Sequence, residues 1–304
     1  MKKGLLGFAL TALALSACAT APIKTTEIAP KAAQSCGMDS RPISVKTVGS
    51  GADVILIPGL GSPPDVYEQI IAQNKGQFRF HLVHVAGYAG LPSSQSEGSV
   101  FDCAGNAIAD YLKKARIRNA TIIGHSMGGE LAMAINARNN GLVGRILVVD
   151  ALPFYSLLFG PTLTPDLIRP RATAFTQMIM GQNDEAFRTS QIAAIARLVK
   201  SETDRARVLA WSLASTRYAI AKGAEDLMVT DLRPELLQNK AEITMLYAYD
   251  AQMGLSQAVV DGLYANAYKD IPNVTLKRID NSFHFIMFDR PLEFSEEVKK
   301  FLSQ

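Results

Sequence analysis

Ser126 stands at the centre of Gly124-His125-Ser126-Met127-Gly128-Gly129. The β-branched run Ala120-Thr121-Ile122-Ile123 leads into it, and the helix-forming stretch Glu130-Leu131-Ala132-Met133-Ala134-Ile135 leaves it without a linker. Strand, sharp turn with a serine at its apex, helix: in that context Gly-x-Ser-x-Gly presents a nucleophile. Such a turn strains the backbone, and glycine at 124 and 128 leaves the space where a Cβ would meet the neighbouring strand or helix. The helix start also aims N–H groups and the positive end of a dipole at whatever binds beside the hydroxyl. A serine hydroxyl is a weak nucleophile at neutral pH. It needs a base within hydrogen-bond reach, and imidazole can take the proton and return it to a leaving group. The motif alone also fits an ordinary β-turn-α connection with an idle serine, so the partners elsewhere in the chain decide.

The elements that would position those partners alternate. Ile43 to Val48 reads as a half-exposed edge strand, and Val54-Ile-Leu-Ile57 as a strand buried on both faces. The latter ends in Pro58-Gly59-Leu60-Gly61-Ser62, whose glycines allow close backbone approach to a ligand. Further strands are expected at Phe80–Val85, Thr121–Ile123, Arg145–Asp150, Ile243–Asp250 and Val274–Ile279, with helices near 99–116, after Ser126, and near 255–268 and 291–303. This order implies an α/β fold, a mostly parallel sheet with helices on both faces. Between about 151 and 240 no convincing strand occurs; Ala-, Arg- and Met-rich stretches near 172–181, 185–200 and 203–223 read as helices. Phe154, Leu157, Leu158, Phe159, Met178, Met180 and Trp211 of this insert could line an apolar pocket or serve as ordinary packing.

At 304 residues, 48% hydrophobic and 19% charged, the chain has the composition of a globular protein with a substantial core. Lys2-Lys3 followed by the apolar stretch Gly4–Leu15 is a targeting segment too short to span a bilayer. Leu15-Ser16-Ala17-Cys18 resembles a bacterial lipobox, in which the cysteine is acylated and becomes the mature N-terminus. Ordinary cleavage at Ala17-x-Ala19 and an uncleaved anchor are the alternatives. Residues 1–17 are thus expected to be a signal peptide, 18–41 a tether, 42–150 and 241–304 the core, and 151–240 a helical cap. By resemblance to the sorting rule of such lipoproteins, Ala19 after the acylated cysteine implies the outer membrane, with the domain facing the periplasm; a soluble secreted or periplasmic protein is the alternative. Removal of residues 1–17 takes the formal charge from +3 to +1, which leaves no argument for a nucleic-acid partner. Cys36 and Cys103 remain as an even pair in an oxidising compartment, expected as a disulfide, with two free thiols as the alternative. No metal-ligand spacing is present, and neither metal nor cofactor is expected.

Taken together, these motifs resemble the α/β-hydrolase superfamily in its capped branch, from about Ile43 to Leu302. The resemblance rests on Pro58-Gly59-Leu60-Gly61, Gly124 to Gly129, Val148-Val-Asp150-Ala-Leu-Pro, the strand end at Asp250, and Asn281-Ser-Phe-His284-Phe-Ile-Met-Phe-Asp289-Arg-Pro291. Two positions depart from the family pattern: Pro58 stands where a His is usual, and Phe283 where a Gly usually precedes the catalytic His. The resemblance implies an esterase- or lipase-like carboxylic ester hydrolase acting on a small acyl substrate, with Ser126 as nucleophile and His284 as base. Of the chain's four histidines, His125 is expected to point away from the site, and His81 and His84 to be satisfied on their strand. By resemblance Asp250 is the acid that fixes the imidazole, with Asp150 as the known alternative position, and backbone N–H groups of Leu60 and Met127 form the oxyanion hole. A non-catalytic envelope lipoprotein that binds a ligand or partner on the same fold is the competing reading.

Overall fold

The continuous apolar runs become the middle of a sheet, and the alternating run becomes its edge. The computed structural model describes residues 36, 41–93 and 97–304. The expected signal peptide, the acylation site at Cys18 and nearly all of the tether lie outside these residues. In chain order the first half comprises β1 (Ile43–Gly49), β2 (Ala52–Ile57), α1 (Glu68–Asn74), β3 (Phe78–Val85), α2 (Val100–Lys114), β4 (Ala120–His125), α3 (Met127–Arg138) and β5 (Val143–Val149). Helices α4 (Pro165–Gly181), α5 (Asp184–Ile195), α6 (Glu202–Leu213), α7 (Arg217–Val229) and α8 (Arg233–Leu236) follow without an intervening strand. The sheet then resumes with β6 (Glu242–Tyr249), α9 (Gln257–Tyr268), β7 (Val274–Asp280), α10 (Ile286–Asp289) and α11 (Pro291–Leu302).

Among the described residues seven strands form one sheet in the order β1-β3-β2-β4-β5-β6-β7. β1 runs antiparallel to β3, and all other pairs are parallel. Successive side chains of a strand point to opposite faces, and the core divides accordingly. Ile55, Ile57, Ile122 and Val148 pack with Phe101, Ile108 and Leu112 of α2 and Leu131 of α3. Leu56, Ile123, Leu147 and Val149 pack on the other face with Ile70 of α1 and Phe294, Val298 and Phe301 of α11. Because β2, β4, β5, β6 and β7 run the same way, residues 58, 126, 150, 250 and 281 all emerge at one edge of the sheet, where open α/β sheets bind ligands. A disulfide joins Cys36 to Cys103 on α2, with Cα atoms 5.6 Å apart.

The helices between β5 and β6 differ in detail from the sequence expectation. α4 begins at Pro165, capped by the Thr164 hydroxyl on the Leu167 N–H, and continues through Pro170, a residue that ordinarily reads as a breaker. The stretch expected as one helix over 203–223 is two. Its chain breaks at residues 214–216 to bond the loop after β3: Gly90 N–H donates to Ala214 C=O, Ala89 N–H to Ser215 Oγ, and Thr216 N–H to Gly87 C=O.

Candidate active site

Ser126 has φ 53° and ψ −123°, backbone that disfavours any side chain, and the neighbouring glycines make it possible. A Cβ on Gly124 would lie 2.3 Å from Gly128 O, and one on Gly128 would lie 2.0 Å from Ile57 O. The Ser126 backbone is fully engaged: its N–H donates to Val149 C=O at 2.9 Å, and its C=O accepts from Gly129 and Glu130 N–H at 2.8 and 3.1 Å. The N–H groups of Met127 and Gly128 open α3, where no intrahelical acceptor exists for them. Opposite lies a turn over residues 59–62, closed by Ser62 N–H to Gly59 C=O at 3.1 Å, with Gly61 at φ +69° and Leu60 at its corner. This turn packs tightly on the elbow, since a Cβ on Gly59 would lie 3.0 Å from Ser126 Cβ.

His284 follows β7 on a loop tied down at several points. Ser282 N–H donates to Tyr249 C=O at 3.2 Å, Phe285 N–H to Leu198 C=O at 3.1 Å, and Phe283 N–H to Asp289 Oδ2 at 2.7 Å. Asp289 Oδ1 accepts the Lys200 N–H at 3.0 Å, so the segment 198–200 after α5 helps to hold the histidine loop. Nδ1 of His284 lies 2.6 Å from Asp150 Oδ2. The other carboxylate oxygen of Asp150 accepts from Ala248 N–H and Tyr264 OH, both at 2.9 Å. With Asp150 filled as an acceptor on both oxygens, Nδ1 carries the proton and Nε2 is the free lone pair.

This arrangement corrects the expectation for Asp250. Among the described residues Asp250 has no hydrogen bond or ion pair with His284: its carboxylate pairs with Lys200 Nζ, and its Oδ1 caps the Gln252 N–H at 2.8 Å. Burial pushes the Asp250 pKa up, but the hydrogen bonds from Lys200 and Gln252 outweigh it and hold the carboxyl below its ordinary range. Backbone geometry separates the two acids. Asp150 turns off β5 with φ +50°, whereas Asp250 continues in extended conformation at φ −146°.

His125 does not point away from the site. Its Nε2–H donates to the His284 C=O at 3.2 Å, and the two rings lie 4.7 Å apart. Burial and the neighbouring His284 hold its pKa well below the ordinary histidine value, so it packs as a neutral ring supporting the histidine loop. His81 bonds Asp53 and Tyr111 at 2.7 and 2.6 Å, and His84 bonds the Tyr88 C=O at 2.8 Å. Among the described residues no group of three or more His, Cys, Asp and Glu could hold a metal ion.

Ser126, Asp150, His284 and the turn Gly59–Gly61 line a cavity of about 810 Å³. Of the insert residues considered for a pocket, Leu158, Phe159 and Met178 line it. Phe154 and Leu157 are buried in the core, Met180 is exposed, and Trp211 packs against Phe288.

The profile of the alpha/beta hydrolase family matches residues 54–297. The chain belongs to the α/β-hydrolase family. Curated relatives of this hydrolase include the pimeloyl-[acyl-carrier protein] methyl ester esterase of Proteus mirabilis, 26% identical over 84% of this chain and 94% of the relative. The enzyme of the same name from Aeromonas salmonicida is 25% identical over 86% and 99%. Among solved structures, the esterase from Exiguobacterium antarcticum superposes with a TM-score of 0.71 at 16% identity, covering 86% of this chain and 96% of the other. The enol-lactonase from Burkholderia xenovorans LB400 gives 0.69 at 16% identity over 86% and 96%. At such identities the superpositions establish the fold alone.

Proposed function

We propose that this hydrolase cleaves a carboxylic ester of a small acyl substrate, with Ser126 as nucleophile, His284 as general base and acid, and Asp150 as the carboxylate that orients the imidazole. One observation carries the reading: the strained Ser126 and the His284 Nδ1–Asp150 Oδ2 pair at 2.6 Å face a single, largely apolar cavity. Ser126 Oγ attacks the ester carbonyl carbon while His284 Nε2 takes the hydroxyl proton. The N–H groups of Met127 and Leu60 are the candidate donors to the developing oxyanion, each worth ~3 kcal/mol in such a site. The tetrahedral intermediate collapses as the C–O bond to the alcohol breaks, and His284 returns the proton to the departing oxygen. Water, deprotonated by the same Nε2, then attacks the acyl carbon; the bond to Ser126 Oγ breaks, Oγ takes the proton back from Nε2, and the acid is released. The names of the curated relatives, methyl ester esterases of an acyl chain, favour an alkyl ester as the bond type. Purified Ser126→Ala and His284→Ala proteins should keep their fold and lose p-nitrophenyl ester turnover by ~10³-fold or more. Undiminished turnover in Ser126→Ala overturns the reading.

We also propose that the hydrolase is exported and held at the outer membrane, facing the periplasm, by acyl chains on Cys18. The basic, apolar and small-residue order of residues 2–18 supports this, as does the Cys36–Cys103 disulfide, a bond favoured in oxidising compartments. Cys18→Ser should move the protein from the membrane fraction to the soluble one, and unaltered partition contradicts the anchor.

A further inference from the structure

The wall of the cavity is mostly apolar; Arg171, Gln191 and Arg197 are among its polar members, and Glu130 is its one lining carboxyl besides Asp150 among the described residues. It follows Ser126 by four residues, one turn along α3, so the two lie on the same side of the helix. Glu130 lines the same cavity yet is only 2% exposed, and its Oε2 has no hydrogen-bond partner among the described residues. The neighbouring polar groups do not account for it. Tyr268 OH is committed to the Ala151 C=O at 2.8 Å, and Tyr155, whose phenol feels the Glu130 charge, makes no hydrogen bond to its Oε2. Arg171, elsewhere on the cavity wall, lies over the Phe159 ring at 5.0 Å. A carboxylate in such surroundings without a cation is expensive to keep charged. Burial accordingly pushes the Glu130 pKa well above the carboxylate range. In its protonated form, which this burial favours, the group offers one O–H donor and one carbonyl acceptor. If position 130 served packing alone, leucine or methionine would fill it without that cost.

We propose that Glu130 forms a polar subsite in the acyl cavity for a hydroxyl group on the substrate chain, accepting from that hydroxyl and donating to it. A hydroxyl fits because it donates and accepts through one atom. An ammonium would require the charged acid, and a carboxylate ligand offers acceptors only. The inference rests on the ester hydrolase reading above and names the substrate class for it: esters of hydroxylated acyl chains.

The test uses methyl octanoate and its derivatives bearing either a hydroxyl or a size-matched methyl group at the second, third, sixth, seventh or eighth carbon. Acid release is followed with the wild-type protein, Glu130→Gln and Glu130→Leu. In at least one position, wild type should favour the hydroxyl over the methyl derivative in kcat/KM by ~10-fold or more. That preference should vanish in Glu130→Leu and survive in part in Glu130→Gln, whose amide still donates and accepts. Wild type that hydrolyses methyl octanoate but shows no hydroxyl preference at any position overturns the subsite and leaves the hydrolase reading intact, whether or not the variants fold. The same preference in Glu130→Leu as in wild type also overturns it. Failure of wild type to hydrolyse any of the esters overturns both.

Discussion

Replacing Asp150 with asparagine keeps the shape of the side chain and inverts its hydrogen-bonding logic. The Oδ1 site faces two donors, Ala248 N–H and Tyr264 OH, while the Oδ2 site faces His284 Nδ1. An amide must place its oxygen on one side. Keeping both donors satisfied turns its NH₂ toward Nδ1, which forces the imidazole proton onto Nε2 and removes the base. In the opposite orientation the Tyr264 hydroxyl can turn to accept from the NH₂, but the buried Ala248 N–H is left unpaired, so the inactive tautomer is favoured by ~2 kcal/mol. The variant also loses the negative charge beside the imidazolium that forms during attack. At about 4 Å and an effective dielectric near 20 that attraction is ~4 kcal/mol. The two effects together predict a fall in kcat of ~10⁴-fold. Asp250→Asn removes only the charge facing Lys200, and its amide oxygen can still cap Gln252, so turnover should stay within about threefold of wild type. Both variants are compared with wild type by initial rates on one p-nitrophenyl ester, with circular dichroism as the check on folding. An Asp250→Asn loss as large as that of Asp150→Asn, or an Asp150→Asn loss under tenfold, refutes the assignment.

Two stability predictions follow from the same geometry. The Cys36–Cys103 disulfide spans 67 residues, so Cys103→Ser should lower stability by ~4 kcal/mol in the chain-entropy account, read as a lower urea midpoint; equal midpoints for wild type with and without reductant contradict it. Glu130, whose folded pKa is raised by burial, binds its proton more tightly folded than unfolded. Stability from this group is therefore full below the ordinary carboxylate pKa and is lost as pH rises above it. The Tm of Glu130→Gln should exceed that of wild type by a margin that widens from pH 5 to pH 8, and parallel Tm profiles would show that Glu130 does not titrate this way.

The parts of the site that lie close together in sequence were legible from it. The elbow is legible within Ala120–Gly129, because the strand, the strained serine and the two glycines beside it are adjacent in sequence, although the backbone that Gly128 must clear is that of Ile57. All seven strands are present where apolar or alternating runs occur. Which aspartate pairs with His284 was not legible, because Asp150 and Asp250 both end parallel strands at the same edge and both lie between Ser126 and His284 in the chain. What separates them comes from far along the chain: Tyr264 and Ala248 converge on Asp150, while Lys200 reaches Asp250. The role of His125 was hidden for the same reason, since its partner carbonyl is 159 residues away. Glu130 read as a helix-forming residue, and nothing local marks the cavity that surrounds it.

Labelling with a fluorophosphonate tests the central claim most directly, because the reagent modifies a serine only where a base has activated it. Digestion and mass spectrometry of the labelled wild-type protein should place the adduct on Ser126. Labelling should be absent in Ser126→Ala, strongly slowed in Asp150→Asn and close to wild type in Asp250→Asn. A folded wild-type protein that leaves Ser126 unlabelled contradicts the account.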